Sequence, residues 1–102
     1  GYRMLYVYHS QHSVSQPGLW IQHKRFTQRT SANGNITFEG LAYGKFVVLC
    51  AIAVNDVVAI PYYQAPDRKL LGAHIISDIS TYVAVVNTNV TVDVWYYEIP
   101  SV

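Results

Sequence analysis

The feature that most limits how this chain can fold is an apolar run at its centre. Residues 46–54 are nine consecutive apolar residues, and after Asn55 and Asp56 the apolar sequence resumes at 57–60. β-Branched residues dominate, no polar positions recur at helical spacing, and Asn and Asp tolerate the backbone angles of two-residue turns. The pattern therefore predicts two strands joined as a hairpin at Asn55-Asp56. The run is too short for a membrane helix, which needs roughly 20 residues.

The first strand of this predicted hairpin is apolar on both faces. A strand that faces water on one side should alternate, whereas a strand covered on both sides need not. Cys50 lies in this run and is the only cysteine, so we expect no intrachain disulfide and a buried thiol that packs as a small hydrophobe. The chain is 51% hydrophobic and 13% charged, against a usual charged fraction of about 25%. We therefore expect a second sheet or another copy of the chain to cover the strand.

Period-two alternation and turn residues predict further strands along the chain, and no segment predicts a helix. Asn33-Gly34 is the strongest hairpin signal, Gly72 indicates a bulge, and Val90 to Tyr97 alternates most cleanly, with valines at 90, 92 and 94. At 102 residues the chain fits one domain, 1–102. The spacing predicts an all-β fold, an antiparallel β-sandwich or a barrel-like domain. The predicted strands are 2–9, 18–26, 35–39, 46–54, 57–60, 70–77, 81–87 and 90–97.

Composition and motifs argue against several classes of function. A formal charge of +1 gives no electrostatic footprint for nucleic acid or an anionic membrane. The six carboxylates form no paired motif, and neither a G-x-S-x-G turn nor a phosphate-binding loop is present, so we predict no enzyme activity and no cofactor. His9 and His12 are spaced H-x-x-H, which fixes no metal geometry on a strand or loop. We predict solvated side chains there, the alternative being a metal at a three-fold axis, and ordinary hydrogen bonds for His23 and His74.

Aromatic side chains beside polar neighbours are the best candidates for binding. Sugar recognition combines a flat apolar ring with a few planar polar groups. Residues 62–69 supply this mixture within eight positions, although they would also suit a strand end followed by a solubilising turn. A second aromatic patch on the last strand would serve equally well in subunit packing, and so would Trp20. The predicted ligand-binding residues are Tyr62, Tyr63, Gln64, Asp67, Arg68, Trp95 and Tyr97, with no metal ligand among them.

The order of these segments resembles a known family. GLWIQHKRF at 18–26 is followed by NGNITFEG at 33–40, a long apolar strand and a closing alternating strand. This order resembles the C-terminal tip domains of bacteriophage tail fibres and, more loosely, the H-type lectin sandwich, over roughly residues 18–97. His23 stands where the family often has Trp, and Glu39 where it often has Pro. Tyr96-Tyr97 replaces the usual Trp-Ile-Ala ending.

The resemblance implies a homotrimeric β-sandwich at the distal tip of a fibre on the virion, facing outward. Such a domain would recognise a bacterial surface glycan or an outer-membrane receptor without inserting into the membrane. The chain opens on Gly1 rather than Met, so we expect it to be the C-terminal part of a longer fibre protein. The alternative is a structural trimerisation or capping module that binds no ligand of its own.

Overall fold

The chain folds into two antiparallel β-sheets. The computed structural model describes residues 20–62 and 69–100, and in these ranges six strands form two three-stranded sheets with no helix. The predicted all-β fold is thus confirmed. Sheet A has the order β1-β6-β3 and sheet B the order β2-β5-β4. No helix within the described ranges has the length and apolar character needed to cross a membrane. The strands are β1 Gln22–Arg29, β2 Asn35–Ala42, β3 Phe46–Ala53, β4 Val58–Tyr62, β5 Leu70–Ile76 and β6 Asn89–Glu98.

Both sheets contribute to one hydrophobic core. The central strand β6 buries Val90, Val92, Val94 and Tyr96, which confirms the alternation predicted for it. Sheet B contributes Phe38, which is fully buried and lies with its ring centroid 5.1 Å from that of Phe26 in β1. Because this ring pair joins the two sheets, the centre of the core lies between them. The other core residues are Ile36, Leu41, Val48, Ala59, Leu71, Ala73 and Ile75.

The predicted hairpin at Asn55-Asp56 is wrong. β3 pairs with β6 in sheet A, and β4 pairs with β5 in sheet B. The Asn55 side chain explains the separation, because its Oδ1 accepts a bond from the Thr91 N–H at 2.8 Å, and the Val54 N–H donates to the Thr91 carbonyl at 2.9 Å. The end of β3 is therefore bonded to β6, and the chain crosses to the other sheet.

The predicted hairpin at Asn33-Gly34 is wrong for a similar reason. A turn does form there, with Gly34 at φ 80°, but it connects β1 in sheet A to β2 in sheet B. On the β1 side, the Thr30 N–H donates to the Thr88 carbonyl at 2.9 Å, next to β6. On the β2 side, the Gly34 carbonyl accepts from the Ile75 N–H of β5 at 2.7 Å. Local turn chemistry was predicted correctly, whereas the strand pairing was not.

β3 is covered on one face only. Val48 is 1% exposed, but Leu49, Ile52 and Val54 are 47%, 55% and 51% exposed. A β-bulge between Val48 and Cys50 adds one residue opposite β6, and it interrupts the alternation that a regular strand would show. The prediction that Cys50 is buried is wrong, since the bulge leaves it exposed on the outer face of sheet A. This apolar outer face is not covered as the sequence led us to expect.

Three further expectations require correction. β1 begins at Gln22 rather than at residue 18 and continues to Arg29, because its register with β6 runs unbroken to Asn89. Residues 81–87 are not a strand, apart from one isolated bridge at Ala84. Instead, Asp78 Oδ1 accepts the Thr81 N–H at 2.8 Å and stabilises a single turn before β6. The predicted strand at residues 2–9 lies outside the described residues.

Gly72 does not form a bulge. The register of β4 with β5 is regular through this residue, and the irregularity lies in β2 between Thr37 and Ala42. A Cβ atom on Gly72 would collide with the Ile36 carbonyl oxygen and would lie 3.2 Å from Cε2 of Tyr62. Glycine is therefore required here because the neighbouring strand and the Tyr62 ring approach the β5 backbone closely.

Candidate functional site: a polar cleft beside Tyr62

A polar cleft lies where the end of β1, the turn after it, the start of β2 and the end of β4 meet. Its volume is about 410 Å³, within the ordinary range for small-ligand sites. Among its described lining residues, Arg29 carries the only charge and none is a carboxylate. These lining residues are Gln28, Arg29, Ser31, Asn33, Asn35, Thr37 and Tyr62. The lining combines one aromatic ring with amide, hydroxyl and guanidinium groups.

Ser31 organises the turn that forms one wall of the cleft. Its Oγ accepts the backbone N–H groups of Asn33 and Asn35 at 3.2 and 3.1 Å, and its carbonyl accepts the Gly34 N–H at 3.0 Å. Serine favours such turns because its short side chain reaches backbone groups two to four residues away. The turn thereby places the side chains of Asn33 and Asn35 beside the end of β1.

The side-chain oxygens in the cleft already accept hydrogen bonds from the protein. Gln28 Oε1 accepts the Thr37 N–H at 2.8 Å, and Asn35 Oδ1 lies 2.9 Å from His74 Nδ1, which donates to it. Ser31 Oγ accepts two N–H groups and has its own proton left to donate. Within the described residues, the remaining capacity is therefore mostly that of donors: the amide NH₂ groups of Gln28 and Asn35 and the Ser31 hydroxyl.

Tyr62 supplies the aromatic surface of the cleft. Its half-buried ring lies over Gly72, and its hydroxyl donates to the Ile36 carbonyl at 3.4 Å, a long and weak bond. Burial raises the pKa of the Tyr62 phenol, so this group stays neutral at physiological pH. The side chain thus presents a flat apolar ring and a weakly engaged hydroxyl beside polar neighbours.

The structure separates the residues that the sequence predicted as a binding site. Tyr62 lines the cleft, whereas Trp95 and Tyr97 lie on the outer face of sheet A. Tyr63, Gln64, Asp67 and Arg68 lie outside the described residues. The predicted first and last parts of the site therefore belong to different sheets.

The outer face of sheet A carries a shallow apolar depression of about 270 Å³. Its described lining consists of Ile21, Leu49, Cys50, Ile52 and Trp95. Trp95 also contacts the His23 ring, with centroids 4.9 Å apart and planes tilted by 41°. The depression contains few polar groups, which suits packing against another apolar surface better than recognition of a polar ligand.

A charged cluster lies beside this depression. Arg25 donates to both oxygens of Asp93, from Nε at 2.8 Å and from Nη2 at 2.9 Å, and His23 Nε2 lies 3.0 Å from Asp93 Oδ1. The Arg25 hydrogen bonds, assisted by His23, lower the pKa of Asp93 to about 2. Both His23 and His74 thus have ordinary hydrogen-bonded partners, as predicted. An ionised, doubly bonded carboxylate is poorly suited to act as a general acid.

We predict that Asp93 contributes to acid sensitivity. The folded carboxyl stays ionised down to a pKa of about 2, whereas the unfolded one binds a proton near 3.8. Its contribution to stability is therefore complete above pH about 4 and is lost as the pH falls toward 2. Urea unfolding of D93N between pH 5 and 2 should show a smaller acid-induced loss than the wild type. The control is D78N, since Asp78 has a pKa of about 2 from hydrogen bonds within an exposed turn. An unchanged pH slope in D93N would contradict the assignment.

No metal site is found in the described ranges. Residues 20–62 and 69–100 contain no group of three or more His, Cys, Asp or Glu side chains close enough to share an ion. The predicted pair of candidates, His9 and His12, lies outside these ranges.

Sequence reasoning missed most of the cleft. Only Tyr62 among its described lining residues was predicted, because segment 27–32 was interpreted as a polar linker. The available signal was the unusual density of amide and hydroxyl residues in QRTSANGN, residues 28–35. Such density would have indicated a polar site near the turn, although not its proximity to Tyr62.

Comparisons with known proteins do not assign a family. No family model, curated protein or solved structure matches this chain.

Proposed function

We propose that this domain recognises carbohydrate through the polar cleft, without catalysing a reaction. The observation that carries the proposal is the Tyr62 ring beside hydrogen-bonding amide and hydroxyl groups. Sugars present C–H-rich faces that stack on aromatic rings and hydroxyls that pair with planar polar groups. The cleft offers both kinds of contact in a volume suited to one or two sugar rings.

We further propose the biological setting that the tail-fibre resemblance implies. The domain would form the receptor-binding tip of a phage tail fibre, as a homotrimeric antiparallel β-sandwich that binds a bacterial surface glycan. The exposed apolar residues of β3 support assembly, because a contiguous apolar face is commonly an interface. Three copies of a weak cleft would also provide avidity beyond that of a single site.

We predict that Tyr62→Ala abolishes or strongly weakens glycan binding. Removing the ring takes away the stacking surface and should cost roughly tenfold or more in affinity. Tyr62→Phe retains the ring and should keep most of the binding. The measurement is a bacterial glycan array, followed by titration of the strongest glycan against each variant.

Tyr97→Ala is the matched control, because Tyr97 lies on the outer face of sheet A. Its affinity for the glycan should equal that of the wild type. Loss of binding in Tyr97→Ala with full binding in Tyr62→Ala would contradict the cleft assignment and transfer the site to the outer face.

The second candidate function is a structural module that trimerises or caps a fibre. The apolar depression around Trp95 favours it, since that surface is suited to subunit packing. It predicts a trimer by light scattering that binds no glycan on the array and is unaffected by Tyr62→Ala. Carbohydrate recognition instead requires a glycan that binds and a Tyr62 dependence of that binding.

A further inference from the structure

We infer that the cleft selects a sugar that bears a carboxylate. This inference rests on the proposed carbohydrate-binding function and specifies the ligand class of the same site. Its starting point is the charge of the cleft, in which Arg29 is accompanied by neutral side chains among the described lining residues. The neutral Tyr62 phenol adds no opposing charge.

A comparison of two arginines on β1 shows that Arg29 lacks the partner that Arg25 has. Arg25 lies opposite Asp93 of β6 in the strand register and binds its carboxylate with two hydrogen bonds. Arg29 lies opposite Asn89, and it forms no ion pair with any carboxylate of the part of the chain that the structure describes. A guanidinium matches a carboxylate through two parallel N–H···O bonds. An acidic ligand would therefore give Arg29 the kind of partner that Arg25 finds within the fold.

The neutral groups of the cleft favour the same ligand class. The carbonyl oxygens of Gln28 and Asn35 and both lone pairs of Ser31 are engaged by the protein, so donors predominate among the free groups of the described lining. A ligand rich in acceptors satisfies these donors, whereas a cationic or donor-rich ligand would leave them unpaired. A carboxylate is an acceptor only, and it combines this property with negative charge.

The experiment is an NMR titration of the full chain with acidic sugars and their uncharged counterparts at constant ionic strength. The probes are glucuronic acid and N-acetylneuraminic acid, each paired with its methyl ester. The ester keeps the ring and hydroxyls but removes the charge. We expect at least one acid to bind, with its ester roughly 10- to 100-fold weaker, the range expected when one charge-assisted hydrogen-bonded pair is lost.

Two substitutions locate this selectivity at Arg29. Arg29→Gln should weaken binding of the acid by a similar factor and leave the affinity for the ester unchanged, whereas Arg29→Lys should be intermediate because it keeps the charge without the planar fork. Lys45→Gln removes an equal charge from an exposed turn residue outside the cleft lining and should bind like the wild type. The unfolding midpoint of each variant checks that it remains folded.

The outcomes separate the inference from the proposed function. Equal binding of acid and ester, weakened by Tyr62→Ala, would overturn the selectivity and leave carbohydrate recognition intact. Equal weakening by Arg29→Gln and Lys45→Gln would also overturn the assignment, because it would indicate a long-range effect of net charge. If neither these probes nor any array glycan binds, both the inference and the proposed function fail.

Discussion

Replacing Phe38 with alanine is expected to lower the free energy of unfolding by about 3–5 kcal/mol. Phe38 is fully buried and packs against Phe26 between the two sheets, so truncation leaves a cavity where the sheets meet. Because small domains have about 5–15 kcal/mol of stability in total, much of the fold's stability would be lost. Urea unfolding followed by tryptophan fluorescence measures the change.

The control for this substitution is Leu49→Ala. Leu49 is 47% exposed on the outer face of sheet A, so its truncation should cost less than about 1 kcal/mol. The ratio of the two effects matters more than either value. If Leu49→Ala were as destabilising as Phe38→Ala, the core would not lie between the sheets as described.

Replacing Gly72 with alanine is expected to cost about 2–4 kcal/mol. The added Cβ would collide with the Ile36 carbonyl oxygen and lie 3.0 Å from the Tyr62 hydroxyl oxygen. To relieve the collision, β2 must shift away from β5 or the Tyr62 ring must leave its position. The substitution should therefore reduce both stability, measured by urea unfolding, and glycan affinity.

Gly44→Ala is the matched glycine control for this prediction. A Cβ on Gly44 has no neighbour within 4 Å, but its φ of 89° is unfavourable for alanine. Its cost should therefore be backbone strain alone, about 1 kcal/mol, with glycan affinity unchanged. Equal losses of stability in the two variants would show that steric collision at Gly72 is not the dominant effect.

The sequence predicted the strands more reliably than their partners. β6 followed its alternation because each valine on one face lies in the core, and this periodicity is local. Pairing is not local: Asn55 and Gly34 form turns, yet their bonds to β6 and β5 direct the chain into the opposite sheet. The position of Cys50 likewise depends on a bulge that is defined by the register with β6.

The candidate site was predictable only in part, for the same reason. An aromatic residue beside polar neighbours indicated Tyr62, since that pattern lies within one short segment. Gln28 and Asn33 come from sequence far from Tyr62, and they reach the cleft because β1 and β2 lie in different sheets that meet at this edge. A single sequence contains no direct signal for that meeting point.

The most direct test of sugar binding in the cleft is backbone NMR of the isotope-labelled full chain. Adding the glycan that binds most strongly on the array should shift the amide signals of Gln28, Ser31, Asn33, Thr37 and Tyr62. The signals of Cys50, Ile52 and Trp95 on the outer face of sheet A should remain in place. Shifts confined to that outer face, with the cleft unaffected, would contradict the account.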